Sequence, residues 1–327
     1  MGLLVDGVWH DTWYDTEENE GKFKREQSQL RHWITQDGSA GPTGDSGFKA
    51  ESGRYHLYVC LACPWAHRTL IFRALIGLQP HIGVSIVSPD MLDKGWSFDK
   101  TKAGVGDDLY DSEYLYQLYL RNNEKYTGRV TVPMLWDKKQ QRIVSNESAE
   151  IIRMFNSAFD DITGNTVDFY PSELQHDIDE INTVVYDNIN NGVYKTGFAT
   201  TQSAYEEAYE NLFNALDDIE KILATKRYLV GDQITEADWR LFTTLIRFDA
   251  VYFGHFKCNK RMIEQYPNLA NYVRELFQVP HVADTVNFEH IKRHYYFSHD
   301  MINPTQIVPV GPDIDYQTAH NRSDVTS

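Results

Sequence analysis

The sequence predicts an α/β domain followed by an all-α domain. Between Tyr55 and Ala158, strand-length apolar runs alternate with helix-patterned segments in the order strand, helix, strand, then strand, strand, helix. From Pro171 to about Tyr296 the apolar residues fall at helical spacing throughout. Between the two regions Asp160 to Tyr170 reads as a linker. The expected boundaries are an N-terminal arm over 1–54, the α/β domain over 55–160 with an insertion at about 88–128, the helical domain over 168–300 and a tail over 301–327.

The arm is aromatic and polar with little periodicity; Trp9, Trp13, Tyr14, Phe23 and Trp33 suit packing on a domain rather than forming one. Its turn-rich part, Gly38 to Gly53, lacks the Gly-Lys-Ser/Thr ending of a phosphate loop. Tyr55-His56-Leu57-Tyr58-Val59 reads as a buried strand, 64–77 as a helix and Ile82 to Val87 as a second strand. The polar insertion carries Trp96. Strand Thr131 to Trp136, turn Asp137-Lys138-Lys139, strand Arg142 to Val144 and helix Asn146 to Ala158 complete the order, with Ser145 or Asn146 as the N-cap. This βαβ, ββα succession is the thioredoxin-like order. Later, Thr235-Glu236-Ala237-Asp238 reads as a helix-opening box with Asp in place of Glu, and Ile234 and Trp239 fit the hydrophobic staple. The segment from Ile302 is Pro-rich and polar and is expected on the surface.

The 31 basic and 47 acidic residues give a formal net charge of −16, which disfavours nonspecific binding of nucleic acid or anionic membranes. An anionic small molecule would need a local basic pocket. Three cysteines are too few for a disulfide framework and suit a reducing compartment. The start of the chain has no signal-peptide pattern, Asp6 stands where a myristoylation motif wants Ser or Thr, and no apolar run is long enough to span a bilayer. A soluble cytoplasmic protein is expected.

The chemistry centres on Cys63-Pro64-Trp65-Ala66-His67-Arg68. Cys63 lies where a strand turns into a helix, and Pro64 takes the first helical position, where a missing N–H costs nothing. A thiol there faces unpaired backbone N–H groups and the positive end of the helix dipole, conditions that favour a nucleophilic thiolate. The bland alternative is an inert buried thiol. Cys60-Leu61-Ala62-Cys63 matches C-x-x-C, but a dithiol site has its second Cys inside the helix, where Ala66 stands; the reading is a monothiol with Cys60 in the core, a disulfide between them staying open. Arg68 and His67 lend positive charge to the thiolate or, for Arg68, make a structural ion pair; Trp65 lies at a pocket mouth or packs. His290 and His294 have zinc-compatible spacing but neither the Glu of His-Glu-x-x-His nor an evident third ligand, so no metal is expected. Cys258 reads as structural. Val132-Pro133 precedes an apolar strand, and in thioredoxin-like folds the corresponding proline is cis. Ser145-Asn146-Glu147-Ser148 opens a helix whose N–H groups and hydroxyl can bind a carboxylate, while Glu147 can bind an ammonium; the pair suits the amino-acid end of a γ-glutamyl group.

A Cys-Pro turn, a Val-Pro strand and a Glu-Ser helix start resemble the glutathione site of cysteine-type glutathione transferases. The fuller string Cys63 to Thr69 resembles one branch, the glutathionyl-hydroquinone reductases or xi class. Arg129-Val130-Thr131-Val132-Pro133, Val144 to Ser148, Asn190-Asn191-Gly192-Val193-Tyr194, Asp249-Ala250-Val251-Tyr252 and His294-Tyr295 extend the likeness over nearly the whole chain. The resemblance implies a thioredoxin-like domain followed by an all-helical glutathione-transferase domain, with the site in the cleft between them and a homodimer formed largely through the helical domains. It implies Cys63 as nucleophile; Trp96, Arg129, Val130, Val132, Glu147 and Ser148 as glutathione contacts; Pro133 as the cis-proline; and Tyr194, Tyr252 and Tyr295 lining the quinol pocket and protonating or polarising the substrate. Glutathione is then a co-substrate, with no permanently bound cofactor, and glutathionyl-hydroquinones are the substrates. Two alternatives share the fold: a broader thiol transferase or dehydroascorbate reductase, and a non-catalytic interaction module.

Overall fold

The computed structural model describes residues 2–325. It separates into two compact units. The first takes the start of the chain as far as Trp13, then Glu26–Val167 and Thr285–His299; the second takes Tyr14–Arg25, Asp168–Asp284 and the chain from Asp300. The arm is therefore divided between the units. The segment Thr285–His299, expected in the helical half, joins the α/β unit instead.

In the first unit the arm opens with a hairpin, β1 (Leu3–Val5) and β2 (Val8–His10), turned at Asp6-Gly7 with both residues at positive φ. These strands are only three residues long, too short for periodicity to reveal. Next comes β3 (Tyr55–Val59), all five residues buried, as expected of a strand covered on both faces. Helix α1 (Pro64–Leu75) follows. It stops two residues short of the expected end because Gly77, at φ +74°, closes it: the Leu78 N–H bonds back to the Arg73 carbonyl at 2.8 Å. Strand β4 (Gly83–Ile86) runs parallel to β3.

The 88–128 insertion holds α2 (Leu115–Asn122) and ends in β5 (Gly128–Arg129), which pairs with β1 to make a small sheet in the order β2-β1-β5. The main sheet has the order β4-β3-β6-β7 and is completed by β6 (Met134–Asp137) and β7 (Arg142–Ser145), both antiparallel. Strand β6 starts at Met134 rather than Thr131, since Pro133 has no N–H to give a ladder. The arm covers the β7 edge: the His32 N–H bonds to the Val144 carbonyl at 2.8 Å, and that of Asn146 to the Leu30 carbonyl at 3.0 Å. Helices α3 (Ser148–Ser157) and α4 (Asp160–Thr163) follow, the latter inside the expected linker.

The second unit is helical: α5 (Gln175–Val184), α6 (Gly192–Gly197), α7 (Gln202–Leu223), α8 (Glu236–Arg247) and α9 (Pro267–Phe277). Two stretches are π-helical, Val185–Asn190 and Phe248–Tyr252. The expected box opens α8. The Thr235 side chain takes the Asp238 N–H, and Asp238 takes the Thr235 N–H at 2.7 Å. The tail does more than lie on the surface. Arg322 is fully buried and donates to the carbonyls of Leu223 and Arg227 at 2.7 and 2.9 Å.

The last helix, α10 (Phe288–Ser298), belongs to the first unit. Arg293 grips Asp90 through two bonds of 2.7 and 2.9 Å, and His294 Nδ1 sits 2.9 Å from the Pro89 carbonyl, so the helix is tied to the start of the insertion. Among the described residues no helix is long and apolar enough to cross a membrane.

Candidate active site

Cys63 is the N-cap of α1, with extended backbone at φ −74° and ψ 120°. Its carbonyl accepts the His67 N–H at 2.9 Å and its sulfur accepts the Ala66 N–H at 3.5 Å. The thiol in turn donates to the Val132 carbonyl at 3.5 Å. An N-capping sulfur is one of the few placements in which a thiolate gains a backbone donor and the helix field together. Cys63 is 9% exposed, whereas Cys60 is sealed completely. The Cys63 N–H closes a turn onto the Cys60 carbonyl at 3.1 Å, which puts Cys60 behind the reactive position. Trp65 is partly exposed, the Arg68 guanidinium lies 4.9 Å from its ring centre, and His67 Nε2 is 2.8 Å from the Thr285 hydroxyl.

The Val132–Pro133 bond is cis. The loop before it is held by a buried hydroxyl: Tyr119 donates to the Thr131 carbonyl at 2.8 Å and accepts the Thr131 N–H at 3.3 Å. Asn146 is part of the same clamp. Its amide donates to the Tyr119 and Thr131 hydroxyls at 3.3 and 3.4 Å, and its carbonyl oxygen accepts the Leu30 N–H at 3.3 Å. Asn146 is thus not the cap of α3, nor is Ser145. Glu147 is, its carboxylate taking the Ala149 N–H at 3.0 Å, and the buried Ser148 opens the helix. Val130 and Val132 are buried.

Arg129 faces the arm. It pairs with Glu26 at 3.1 Å and donates to the carbonyls of Trp13 at 3.1 Å and of Thr12. In the insertion, Trp96 is only 3% exposed and stacks on His294 with ring centres 4.9 Å apart. Its indole N–H is buried and meets no acceptor. Burial lowers the His294 pKa to about 4, so this imidazole is neutral near pH 7. With one ring nitrogen on Pro89, His294 is a structural residue of the docked helix. Among the described residues the one His/Cys/Asp/Glu group spaced to hold an ion is His176, Asp177 and Glu180, all exposed. Cys258 is buried, which pushes its thiol pKa far up, as suits a structural residue.

The three tyrosines divide. Tyr295 lies buried on α10 and belongs to the unit of Cys63, with the His299 ring 5.5 Å away. Tyr194 and Tyr252 lie together in the helical unit, ring centres 6.1 Å apart, each packed against Phe256. Tyr252 ends one π turn and Tyr194 follows the other. Such turns re-aim a side chain by one residue and concentrate at functional sites. No local pattern in the sequence announced either. Sequence reasoning also missed the Tyr119–Asn146 clamp and the pairing of Arg31 with Glu150 in the first turn of α3.

Comparison with known proteins supports the geometry. The glutathione S-transferase N-terminal domain family matches residues 62–158 and the C-terminal domain family matches residues 202–275. The chain is 58% identical over 323 residues to the glutathionyl-hydroquinone reductase YqjG of Escherichia coli K12, covering 98% of each protein. It is 54% identical to the glutathionyl-hydroquinone reductase PcpF of Sphingobium chlorophenolicum, over 95% of this chain and 96% of that protein. The glutathione-bound structure of Escherichia coli YqjG superposes with a TM-score of 0.92 at 55% identity, over 98% of this chain and 99% of that one. A xi-class transferase from Natrialba magadii superposes at 0.91 with 45% identity, over 99% and 97%.

Proposed function

The chain belongs to the glutathionyl-hydroquinone reductases, the xi class of glutathione transferases, and we propose from that membership that it uses glutathione to reduce glutathionyl-hydroquinones to hydroquinones. The observation that carries the reading is the Cys63 sulfur capping α1 and accepting the Ala66 N–H.

The Cys63 thiolate attacks the sulfur of the substrate thioether. A sulfur–sulfur bond forms, the carbon–sulfur bond breaks, and the ring carbon leaves with the electron pair and takes a proton. The hydroquinone is released and Cys63 is left as a mixed disulfide with glutathione. A second glutathione thiolate attacks that disulfide, frees Cys63 and departs as oxidised glutathione. The substrate carbon is reduced while the thioether sulfur and one glutathione thiol are oxidised to the disulfide, so no other redox group is required. Tyr194, Tyr252 and Tyr295 supply or relay the proton to carbon. Trp96, with its unpartnered N–H, and the α3 start at Glu147 and Ser148 hold the glutathionyl part, beside Val130, Val132 and Arg129. The same membership supports a cytoplasmic homodimer.

Mass spectrometry of the protein after mixing with a glutathionyl-hydroquinone tests the first step: one glutathione is expected on Cys63, and Cys63→Ser is expected to show neither the adduct nor turnover. A higher kcat/KM for a plain disulfide than for the glutathionyl-hydroquinone would overturn the substrate assignment.

A further inference from the structure

Arg25 ends the one stretch of the arm, Tyr14–Arg25, that groups with the helical unit. That stretch is firmly seated. Phe23 is buried against Tyr14, Phe198 and Tyr194 at ring-centre distances of 4.8, 5.4 and 6.3 Å. Lys22 pairs with Glu207 at 2.8 Å, and the Thr200 N–H bonds to the Gly21 carbonyl at 3.0 Å. Gly21 sits at φ +84°, and a Cβ there would come within 2.5 Å of the Thr201 hydroxyl, so only glycine allows this approach.

From this anchor Arg25 reaches two residues three positions apart. Its Nε donates to the Asn191 side-chain oxygen at 2.8 Å, and its guanidinium carbon lies 4.8 Å from the ring centre of Tyr194. Asn191 is the joint between the π turn Val185–Asn190 and α6: its N–H bonds to the Tyr186 carbonyl at 2.9 Å and its carbonyl accepts the Lys195 N–H at 2.8 Å. One planar cation therefore fixes both the joint and the ring that follows it. Lysine cannot do both, because a point charge has no fork to stack and donate at once.

We propose that Arg25 is a positioning residue for hydroquinone reduction, holding the Tyr194 phenol in the orientation from which it delivers a proton. The proposal rests on the role given to Tyr194 above. Proton transfer to carbon demands close alignment of donor and acceptor, so a ring free to rock loses rate rather than substrate affinity.

The test is a double-mutant cycle of Arg25→Ala and Tyr194→Phe, read by steady-state kinetics on a glutathionyl-hydroquinone and accompanied by thermal melts. Tyr194→Phe alone is expected to lower kcat by about tenfold or more. Arg25→Ala alone is expected to lower kcat by about tenfold, with KM for glutathione unchanged within about twofold. Added to Tyr194→Phe, it is expected to do nothing further, because no phenol remains to orient. Arg25→Lys keeps a charge over the ring without the Asn191 bond and is expected to lose less, again only when Tyr194 is present. Equal loss with and without the phenol, or a loss confined to KM, would overturn the proposal. If Arg25→Ala does not fold, the Arg25→Lys cycle decides by the same criterion. An unchanged kcat for Tyr194→Phe would overturn the role of Tyr194 itself, an outcome read from that single variant.

Discussion

Trp96 shows what a single side chain reveals when its polar atom is counted. An indole N–H buried without an acceptor is uncommon in a settled core and is destabilising by roughly 1–3 kcal/mol. The ring itself is well used, stacked on His294. The orphaned donor makes sense if a ligand completes it. Trp96→Phe keeps an aromatic ring against His294 and removes the donor together with the smaller ring of the indole. It is expected to raise KM for glutathione by about fivefold to tenfold, the worth of one hydrogen bond, while the alkylation rate of Cys63 by iodoacetamide stays the same. An unchanged KM would remove Trp96 from the glutathione site. At this scale Cys63 was legible because everything that makes it reactive is local: an apolar strand before it, proline after it, and a helix behind. Trp96 was legible only through resemblance, since its partner His294 lies in a helix at the far end of the chain. Arg25 was invisible for the same reason; nothing near it in sequence says that its charge faces a tyrosine.

The helix starts repeat that contrast among elements. The α8 box could be read directly because its partners, Thr235 and Asp238, are three residues apart. The structure adds that Asp238 also takes the Leu229 N–H at 3.0 Å and the Tyr272 hydroxyl at 2.7 Å, with its own carboxyl fully buried. Asp238→Ala would strand four donors at once, the Thr235 hydroxyl at 3.0 Å among them. A loss of about 4 kcal/mol is expected, with a fall in Tm of roughly 10 °C by calorimetry, and a loss under 1 kcal/mol would mean that water or a rearranged loop takes over those donors. The start of α3 was misread by one or two residues. Asn146 is an excellent cap by composition, but Tyr119, Thr131 and Leu30, none adjacent to it, claim its amide first, and Glu147 caps instead. The main-sheet strands were found because they are apolar runs of strand length. The β1–β2 hairpin was not, because three-residue strands carry no period and the pairing of β1 with β5 crosses most of the first unit.

Across the whole molecule, the response to acid follows from where titratable groups are buried. His56 and His294 both lie in the α/β unit, and burial lowers each to about 4. A histidine held neutral in the native state and free to protonate near 6.5 when unfolded contributes stability that is full above pH 6.5 and lost as pH falls toward 4. Each accounts for up to about 3 kcal/mol over that window. Asp249 in the helical unit has the opposite sign. Its carboxyl is raised by burial to about 6, although it accepts the Ile263 and Glu264 N–H groups at 2.6 and 2.9 Å, so its contribution grows as pH falls from 6 to 4. Burial raises the Asp238 carboxyl as well, but it lowers the His32 and His290 imidazoles along with those of His56 and His294, and the four imidazoles outweigh the two carboxyls. The net charge of −16 works against them, since acid relieves surface repulsion, but that effect is screened by salt whereas buried groups are screened far less. The expectation is a Tm that falls between pH 6.5 and 4 and falls more clearly in 0.5 M salt than at low ionic strength. His294→Gln keeps a donor for the Pro89 carbonyl without the titration, so its deficit in Tm relative to the parent should narrow steadily from pH 7 to 4. Parallel curves for the two proteins would show that His294 is not neutral in the folded chain, and the docking of α10 on the insertion would then need a charged imidazole.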